Sequence, residues 1–291
     1  MYRLFLILLI AFALPSFAQT TTPKIFRITS SYTSFPDTGR AKGHTYDNVL
    51  YTAAEHYNDS NVLIIVPYGL KTKGPLDIIV WFHGWRNNID SVPVQFAIIK
   101  QFIAAKRNAI LILPETTKDA PDSYGGKLEQ KTIFKLLLTD VLNKLKTEKI
   151  ITKKTEVGNV VLAGHSGAFR VMAHILQNGA VEVKQTILFD ALYSQVDKFS
   201  SWIKADTAHQ FINIYTDNGG TDAVSATMMK ELLEKNISFI HTEEKDVNAT
   251  ILKTNHIIFI HSKKEHNDVI SRPDYNFQLY LQNSHVLKSI F

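Results

Sequence analysis

The chain contains no cysteine among its 291 residues. Disulfides, thiolate nucleophiles and cysteine-ligated metal sites are therefore excluded. Two motifs that bind zinc or phosphate are also missing. There is no His-Glu-x-x-His signature, and Gly125-Gly126-Lys127 has neither a preceding strand nor the following Ser or Thr of a phosphate-binding loop. The sequence thus predicts a protein without a metal ion or an organic cofactor.

Charge of one sign is only mildly in excess, since the formal net charge is +5. The densest basic cluster lies at residues 144–154, and no aromatic residue is interleaved with its lysines. Surfaces that bind single-stranded nucleic acid combine basic residues with stacking aromatics. We therefore interpret the cluster as the solvated C-terminal end of a helix, where cations are favoured, and we expect no nucleic-acid partner.

Long apolar runs are scarce, and the most evident one is at the N-terminus. Arg3 precedes the apolar residues 4–14, Pro15 ends the run, and Ser16-Phe17-Ala18 forms a small-x-small pattern before Gln19. This pattern is typical of a cleavable secretory signal, and the run is too short to span a bilayer. The sequence predicts a signal peptide over residues 1–18, a secreted or periplasmic mature protein, and no stable membrane span after cleavage. An uncleaved membrane anchor is the alternative interpretation.

The remainder of the chain alternates between apolar, β-branched runs and segments with helical spacing of apolar residues. The strand-like runs are residues 61–67, 76–82, 109–114, 160–163, 185–189, 211–216 and 255–261. Continuous apolar strands separated by helices are typical of a mostly parallel central sheet with helices on both faces. Residues 19–291 are therefore predicted to form a single α/β domain. The connection from Asp190 to Phe211 is short for a large cap domain.

Residues 160–168 read Val-Val-Leu-Ala-Gly-His-Ser-Gly-Ala and are the most informative segment of the chain. An apolar strand ends in a tight turn, and a helical pattern follows it. A sharp strand-to-helix turn of this kind exposes a serine hydroxyl above the edge of the sheet. Ser166 is therefore the candidate nucleophile.

A nucleophilic serine needs a base, and the base needs a carboxylate that orients it. His266 lies in a polar loop shortly after the last predicted strand, whereas His261, at the strand end, is a rival base. Asp217 and Asp190 each follow a predicted strand. We favour Asp217 as the acid and keep Asp190 as the alternative. Asp222 is a weaker third candidate because it suits the start of a helix.

An oxyanion hole needs backbone N–H groups that point at the developing negative charge. Gly167, directly after the serine, is one candidate donor. Gly84 or Trp85, in the turn that follows the second apolar strand, would supply the other. Three residues are candidates for substrate binding: His165, Trp85 and Tyr193.

These residues together resemble the α/β-hydrolase superfamily. His83-Gly84, Gly164-His165-Ser166-Gly167-Ala168, an acid after a late strand and His266 occur in the order typical of that family, over roughly residues 61–291. The sequence departs from the usual motif at Ala168, where glycine is more frequent. The resemblance implies an α/β-hydrolase fold with a mostly parallel sheet.

The same resemblance implies a serine hydrolase. Its simplest form is a carboxylic ester hydrolase that works through an acyl-enzyme on Ser166, with a small molecule or an acylated polymer as substrate. A serine peptidase or amidase of the same fold is an alternative, and so is a non-catalytic binding protein. The fold does not choose among them, because one fold supports many functions.

Overall fold

The computed structural model describes residues 22–271 and 273–290. The strands in these ranges are β1 (Lys24–Thr29), β2 (His44–Tyr46), β3 (Val49–Tyr51), β4 (Asn61–Val66), β5 (Leu76–Phe82), β6 (Ala109–Pro114), β7 (Val157–His165), β8 (Val183–Phe189), β9 (Gln210–Thr216), β10 (Ile240–Glu243) and β11 (Ile257–Ser262). The helices are α1 (Ala53–His56), α2 (Val92–Gln95), α3 (Ile98–Ala104), α4 (Ile133–Thr147), α5 (Phe169–Asn178), α6 (Val196–Ala205), α7 (Asp222–Glu234), α8 (Ala249–Thr254) and α9 (Asn276–Gln282). The predicted signal peptide lies outside the described residues. Within them, no helix has the length and apolar character needed to cross a bilayer.

Nine strands form one sheet in the order β1-β4-β6-β5-β7-β8-β9-β11-β10. β4 runs antiparallel to its neighbours β1 and β6. All the other neighbouring pairs in this sheet are parallel. The β2 and β3 strands form a separate antiparallel hairpin. The mostly parallel sheet expected from the sequence is confirmed.

The sheet is buried on both faces, which explains the uninterrupted apolar strands. Along β5, Ile78, Val80 and Phe82 belong to a core layer that includes side chains of α4, α5 and α6. Ile79 and Trp81 belong to the opposite layer, with side chains of α3 and α9. Successive side chains of a strand point to opposite faces, so most residues of such a strand are apolar. Burial of each large apolar side chain contributes about 2 kcal/mol.

The parallel strands end at one edge of the sheet, and this edge carries the candidate site. β7 ends at His165, which pairs in register with Phe189 at the end of β8. The residues that follow are Ser166 and Asp190, so the strand register brings a serine and a carboxylate to adjacent positions. β9 ends beside them at Thr216. Ligands of open α/β sheets bind at the carboxyl ends of the strands.

Three strands were not evident in the sequence. β10 is short and mostly polar, and the β2–β3 hairpin lies in a region without a clear apolar period. The connection between β8 and β9 contains only α6, so the expectation of no large cap domain is confirmed.

Candidate active site

Ser166 lies in a strained turn between β7 and α5. Its φ angle is 55°, in the left-handed region that non-glycine residues rarely adopt. A short 3₁₀ turn, Ser166–Ala168, continues directly into the helix. Strain of this kind is typical of the turn that presents a nucleophilic serine. The turn predicted from the sequence is therefore present.

Close packing around this turn explains two residue choices. A Cβ atom added to Gly84 would lie 2.6 Å from the Ser166 Cβ. Only glycine therefore allows the turn that follows β5 to lie directly beside the serine. A Cβ added to Gly164 would lie 2.6 Å from the Ala168 Cβ. The alanine at the usual glycine position is thus accommodated because residue 164 has no side chain.

His266 is paired with Asp190. The His266 Nδ1 lies 2.6 Å from the Asp190 Oδ2. His266 is part-exposed, whereas the Asp190 side chain is fully buried. A carboxylate at Nδ1 fixes the imidazole tautomer and leaves Nε2 free to accept a proton.

Asp190 is held by neutral donors as well as by the histidine. The Thr216 N–H donates to Oδ1 at 3.1 Å, and the Thr216 hydroxyl donates to Oδ2 at 2.8 Å. The Thr221 hydroxyl donates to Oδ1. Burial raises the pKa of Asp190, but the hydrogen bonds from His266, Thr221 and Thr216 outweigh it and leave the pKa below its ordinary value. Asp190 is therefore an ionised, immobilised partner of His266.

The sequence-based preference for Asp217 is corrected by this geometry. Asp217 accepts a hydrogen bond from His261 Nε2 at 2.7 Å, not from His266. It follows β9, one strand farther from β7 than Asp190, and its side chain is 61% exposed. Asp222, the weaker candidate, begins α7.

His165 packs against His266 and hydrogen-bonds to its backbone. It is buried, and its ring lies 4.4 Å from the His266 ring between centroids. Its Nε2 donates to the His266 carbonyl oxygen at 3.1 Å. Burial, and then the neighbouring His266, lower the pKa of His165 to about 3. The structure thus places this residue against the candidate base His266, whereas the sequence suggested a substrate contact.

The candidate oxyanion donors lie together. A Cβ added to Gly167 would lie 2.5 Å from Trp85 Cδ1, so the indole packs directly on the peptide after the nucleophile. Gly84 adjoins Ser166, as described above. The structure therefore brings Gly84, Trp85 and Gly167 together around the serine.

A buried histidine, His83, fixes the peptide between Gly84 and Trp85. Its Nδ1 donates to the Gly84 carbonyl oxygen at 2.9 Å, and its Nε2 lies 2.6 Å from Glu115 Oε1. Burial lowers the pKa of His83, but Glu115 outweighs this effect and raises it above the ordinary value. Since the C=O and N–H of a trans peptide point in opposite directions, this bond turns the Trp85 N–H away from His83.

Glu115 also accepts a hydrogen bond from the Ile89 N–H at 3.3 Å, so it holds the far end of the same loop. Sequence reasoning missed this contribution. The available signal was a pair of polar residues, Glu115 and Thr116, directly after the apolar strand β6 at the same sheet edge.

Tyr193 lies beside His266, with ring centroids 6.4 Å apart. Its hydroxyl donates to the Gly219 carbonyl oxygen at 2.7 Å. Burial and the Asp190 charge raise the pKa of Tyr193 to about 12, and a hydrogen bond with Ser166 opposes the rise. The phenol is therefore neutral at physiological pH.

One group in the described ranges has spacing suited to a metal ion: Glu182, Asp206 and His209. It lies at the start of β8, at the opposite end of this strand from Asp190. The Lys184 ammonium contacts both carboxylates. We assign this group no role in the site.

Comparison with solved structures identifies the fold. The chain is similar to a ferulic acid esterase, with a TM-score of 0.54 and 9% identity over 93% of this chain and 100% of that one. It is also similar to a mutant of the feruloyl esterase module from Clostridium thermocellum complexed with sinapinate, with a TM-score of 0.52 and 10% identity over 92% and 90% of the two chains. Fluorophosphonate-binding serine hydrolase F of Staphylococcus aureus gives a TM-score of 0.51 and 11% identity over 90% and 99%. No protein-family model and no curated protein matches the chain. The chain has the α/β-hydrolase fold.

Proposed function

We propose that the protein is a serine hydrolase that cleaves carboxylic esters through an acyl-enzyme on Ser166. The observation that carries this proposal is the Asp190–His266 hydrogen bond of 2.6 Å, located at the strand ends beside a strained serine. A buried carboxylate, an imidazole and a serine in a sharp turn form the combination that activates a hydroxyl for attack on a carbonyl.

The reaction would take place in two halves. Ser166 Oγ forms a bond to the ester carbonyl carbon, and its proton passes to His266 Nε2. The bond from that carbon to the alcohol oxygen then breaks, and the alcohol leaves with the proton. Water repeats the sequence on the acyl-enzyme and releases the carboxylic acid. Asp190 remains ionised throughout and stabilises the imidazolium.

The oxyanion would be bound by backbone donors. The N–H groups of Gly167 and Trp85 are the proposed pair, because Gly167 follows the nucleophile and His83 fixes the Gly84–Trp85 peptide. Loss of a single oxyanion donor typically lowers kcat by about 10²-fold or more. The His83–Glu115 pair would therefore act as a positioning pair for one of these donors.

The structural neighbours favour an ester over an amide as the bond that is cleaved. Two of the similar structures are named as esterases of the feruloyl type, and one as a serine hydrolase that binds fluorophosphonates. We extend only the reaction class to this chain. Export to the periplasm or the medium is also part of the proposal, and it rests on the N-terminal sequence pattern alone.

A fluorophosphonate probe tests the nucleophile and the base. We expect the wild-type protein to be labelled at neutral pH, Ser166→Ala to be unlabelled, and His266→Ala to label at least about 10²-fold more slowly. His261→Ala is the matched control, because it removes the neighbouring histidine that pairs with Asp217. An unlabelled wild type, or a His261→Ala variant as slow as His266→Ala, would contradict the proposal.

Turnover then identifies the bond that is cleaved. We expect the wild type to hydrolyse 4-nitrophenyl esters and to leave the matching 4-nitroanilides intact. Faster cleavage of the anilides would indicate an amidase. A labelled serine without turnover of either series would favour a binding function.

A further inference from the structure

An exposed apolar patch adjoins the candidate nucleophile. It consists of Trp85, Tyr46 and Val49, whose exposed fractions are 39%, 39% and 53%. The Tyr46 and Trp85 rings meet edge to face, with centroids 5.3 Å apart. Other exposed large apolar residues, such as Ile25, Leu136 and Leu233, lie on separate elements. Single exposed apolar residues are ordinary, but clustered ones mark binding surfaces.

The hairpin register determines which side chains belong to this patch. Tyr46 pairs directly with Val49, so both side chains lie on the same face of the β2–β3 hairpin. Leu50 pairs with Thr45 and lies on the opposite face. Leu50 is 58% exposed, which is similar to Val49. The two faces of one hairpin thus provide a test residue and a matched control.

The hairpin and the indole are both held in place. Asp47 and Asn48 have φ angles of 49° and 60°, as required by a tight two-residue hairpin turn whose twist matches that of the strands. Trp85 Nε1 donates to Ser123 Oγ at 2.8 Å, and the indole packs against Gly167. The patch is therefore a preorganised surface that continues from the peptide after Ser166.

We propose that this patch binds an apolar or aromatic group of the ester substrate. The proposal rests on the proposed function for the reaction, but it names the substrate class. Substrate is the favoured occupant because the patch continues directly into the oxyanion loop and comprises only three side chains. A bound apolar group would cover the exposed rings and the Val49 methyls, and removal of that area from water favours binding. Short polar acyl groups would gain little from it.

Binding to the Ser166→Ala protein tests the patch without chemistry. The ligands are intact 4-nitrophenyl acetate and octanoate, and methyl and octyl acetate, so that the apolar group lies on the acyl side or on the alcohol side. We expect one of the two long esters to bind more tightly than its short counterpart. Adding Tyr46→Ser or Val49→Ser to the Ser166→Ala protein should lower this preference about fivefold to tenfold. Adding Leu50→Ser should leave it unchanged.

The same substitutions in the active protein give the kinetic readout. The ratio of kcat/KM for the long ester to that for the short ester should fall by a similar factor in Tyr46→Ser and Val49→Ser, and not in Leu50→Ser. Any of three results would overturn the proposed role of the patch. They are the same chain-length preference in all variants, an effect of Leu50→Ser as large as that of Tyr46→Ser and Val49→Ser, and no chain-length preference in the Ser166→Ala protein. Absent fluorophosphonate labelling with a retained binding preference would overturn the proposed reaction and leave the patch standing.

Discussion

Two histidine–carboxylate groups lie at the same edge of the sheet and differ in their surroundings. His266 contacts Asp190 at 2.6 Å, and His261 contacts Asp217 at 2.7 Å. The two distances are nearly equal. Judged by distance alone, either group could serve a nucleophilic serine.

Burial and the number of donors separate the two groups. Asp190 has no exposed side-chain area and accepts hydrogen bonds from two threonines in addition to the histidine. Asp217 is largely exposed, and the other ring nitrogen of His261 is bound by Glu243 at 3.0 Å. A base in a triad needs one free ring nitrogen, and both nitrogens of His261 are bound to carboxylates. Under the proposed mechanism, Asp190 suits the role of the acid because it is buried, held by several donors and bound to only one side of the imidazole.

His261 has a structural role in this contrast. Hydrogen bonds that His261 donates to Glu243 and then to Asp217 raise the pKa of His261, which favours the imidazolium. The pair with Glu243 joins β11 to the neighbouring edge strand β10. Solvent-exposed ion pairs of this kind contribute little to stability.

The largest expected effect is the difference between two variants that each remove one carboxylate charge, Asp190→Asn and Asp217→Asn. Asp190→Asn replaces an acceptor with an amide that cannot stabilise the imidazolium or hold the same tautomer, so we expect kcat/KM to fall by about 10³-fold or more. Asp217→Asn should change kcat/KM by less than about twofold, because this largely exposed carboxylate contacts His261 rather than the proposed base. Ester turnover at neutral pH measures both.

The opposite outcome would reverse the assignment of the acid and the base. If Asp217→Asn abolished turnover and Asp190→Asn were active, His261 would have to be the base and the geometry described above would not be the reactive one. The labelling rate of each variant separates a loss of nucleophile activation from a loss of substrate binding.

The fold could be predicted from the sequence because its signals are local. A parallel strand buried on both faces needs a nearly continuous apolar run, and β5, β6 and β9 each provide one, interrupted only by Asp77 in β5 and by Asn213 in β9. The serine turn was equally evident, because a strand and a helix flank Gly-His-Ser-Gly. By contrast, β10 is a mostly polar edge strand, and its place in the sheet depends on pairing with β11 rather than on its own residues.

The choice of acid could not be made from the sequence, for a physical reason. Asp217-Asn218-Gly219 has the composition of a turn. Many catalytic acids also lie in turns, so composition alone does not separate a catalytic acid from a turn residue. Asp190 is selected by the register of β8 on β7 and by the path of a loop that begins after β11, and both are tertiary properties. The Glu115 support for His83 depends in the same way on β6 lying beside β5.

A smaller effect is expected from the donors that immobilise Asp190. Thr221→Val keeps the shape of the buried side chain and removes its hydroxyl, so the carboxylate becomes less well held and its pKa rises. Hydrogen bonds to charged groups contribute about 1.5–3 kcal/mol, and we expect kcat/KM to fall about tenfold. Thr221→Ser restores the hydroxyl and should recover most of the activity. Equal losses in both variants would mean that packing of the methyl group, rather than the hydrogen bond, matters at this position.

The smallest effects concern stability as a function of pH, and they should have opposite signs for His165, which packs against His266, and for His261. The folded pKa of His165 is lowered to about 3 from 6.5. The unfolded chain therefore binds an extra proton between these values, and the fold loses stability as pH decreases below about 6.5, by roughly 1.4 kcal/mol per pH unit. His165→Phe removes this loss, so its stability relative to wild type should improve as pH falls.

His261 should show the reverse, because its folded pKa is raised above 6.5. Its contribution is fully present below about pH 6.5 and disappears as pH increases through the folded value. His261→Gln should therefore be less stable than wild type at pH 6 and closer to it at pH 9. Urea unfolding of the three proteins from pH 5 to 9 measures both trends. If the two variants deviated from wild type in the same direction as pH falls, the buried His165 and the partly exposed His261 would not differ in charge, and the contrast between the two groups would rest on geometry alone.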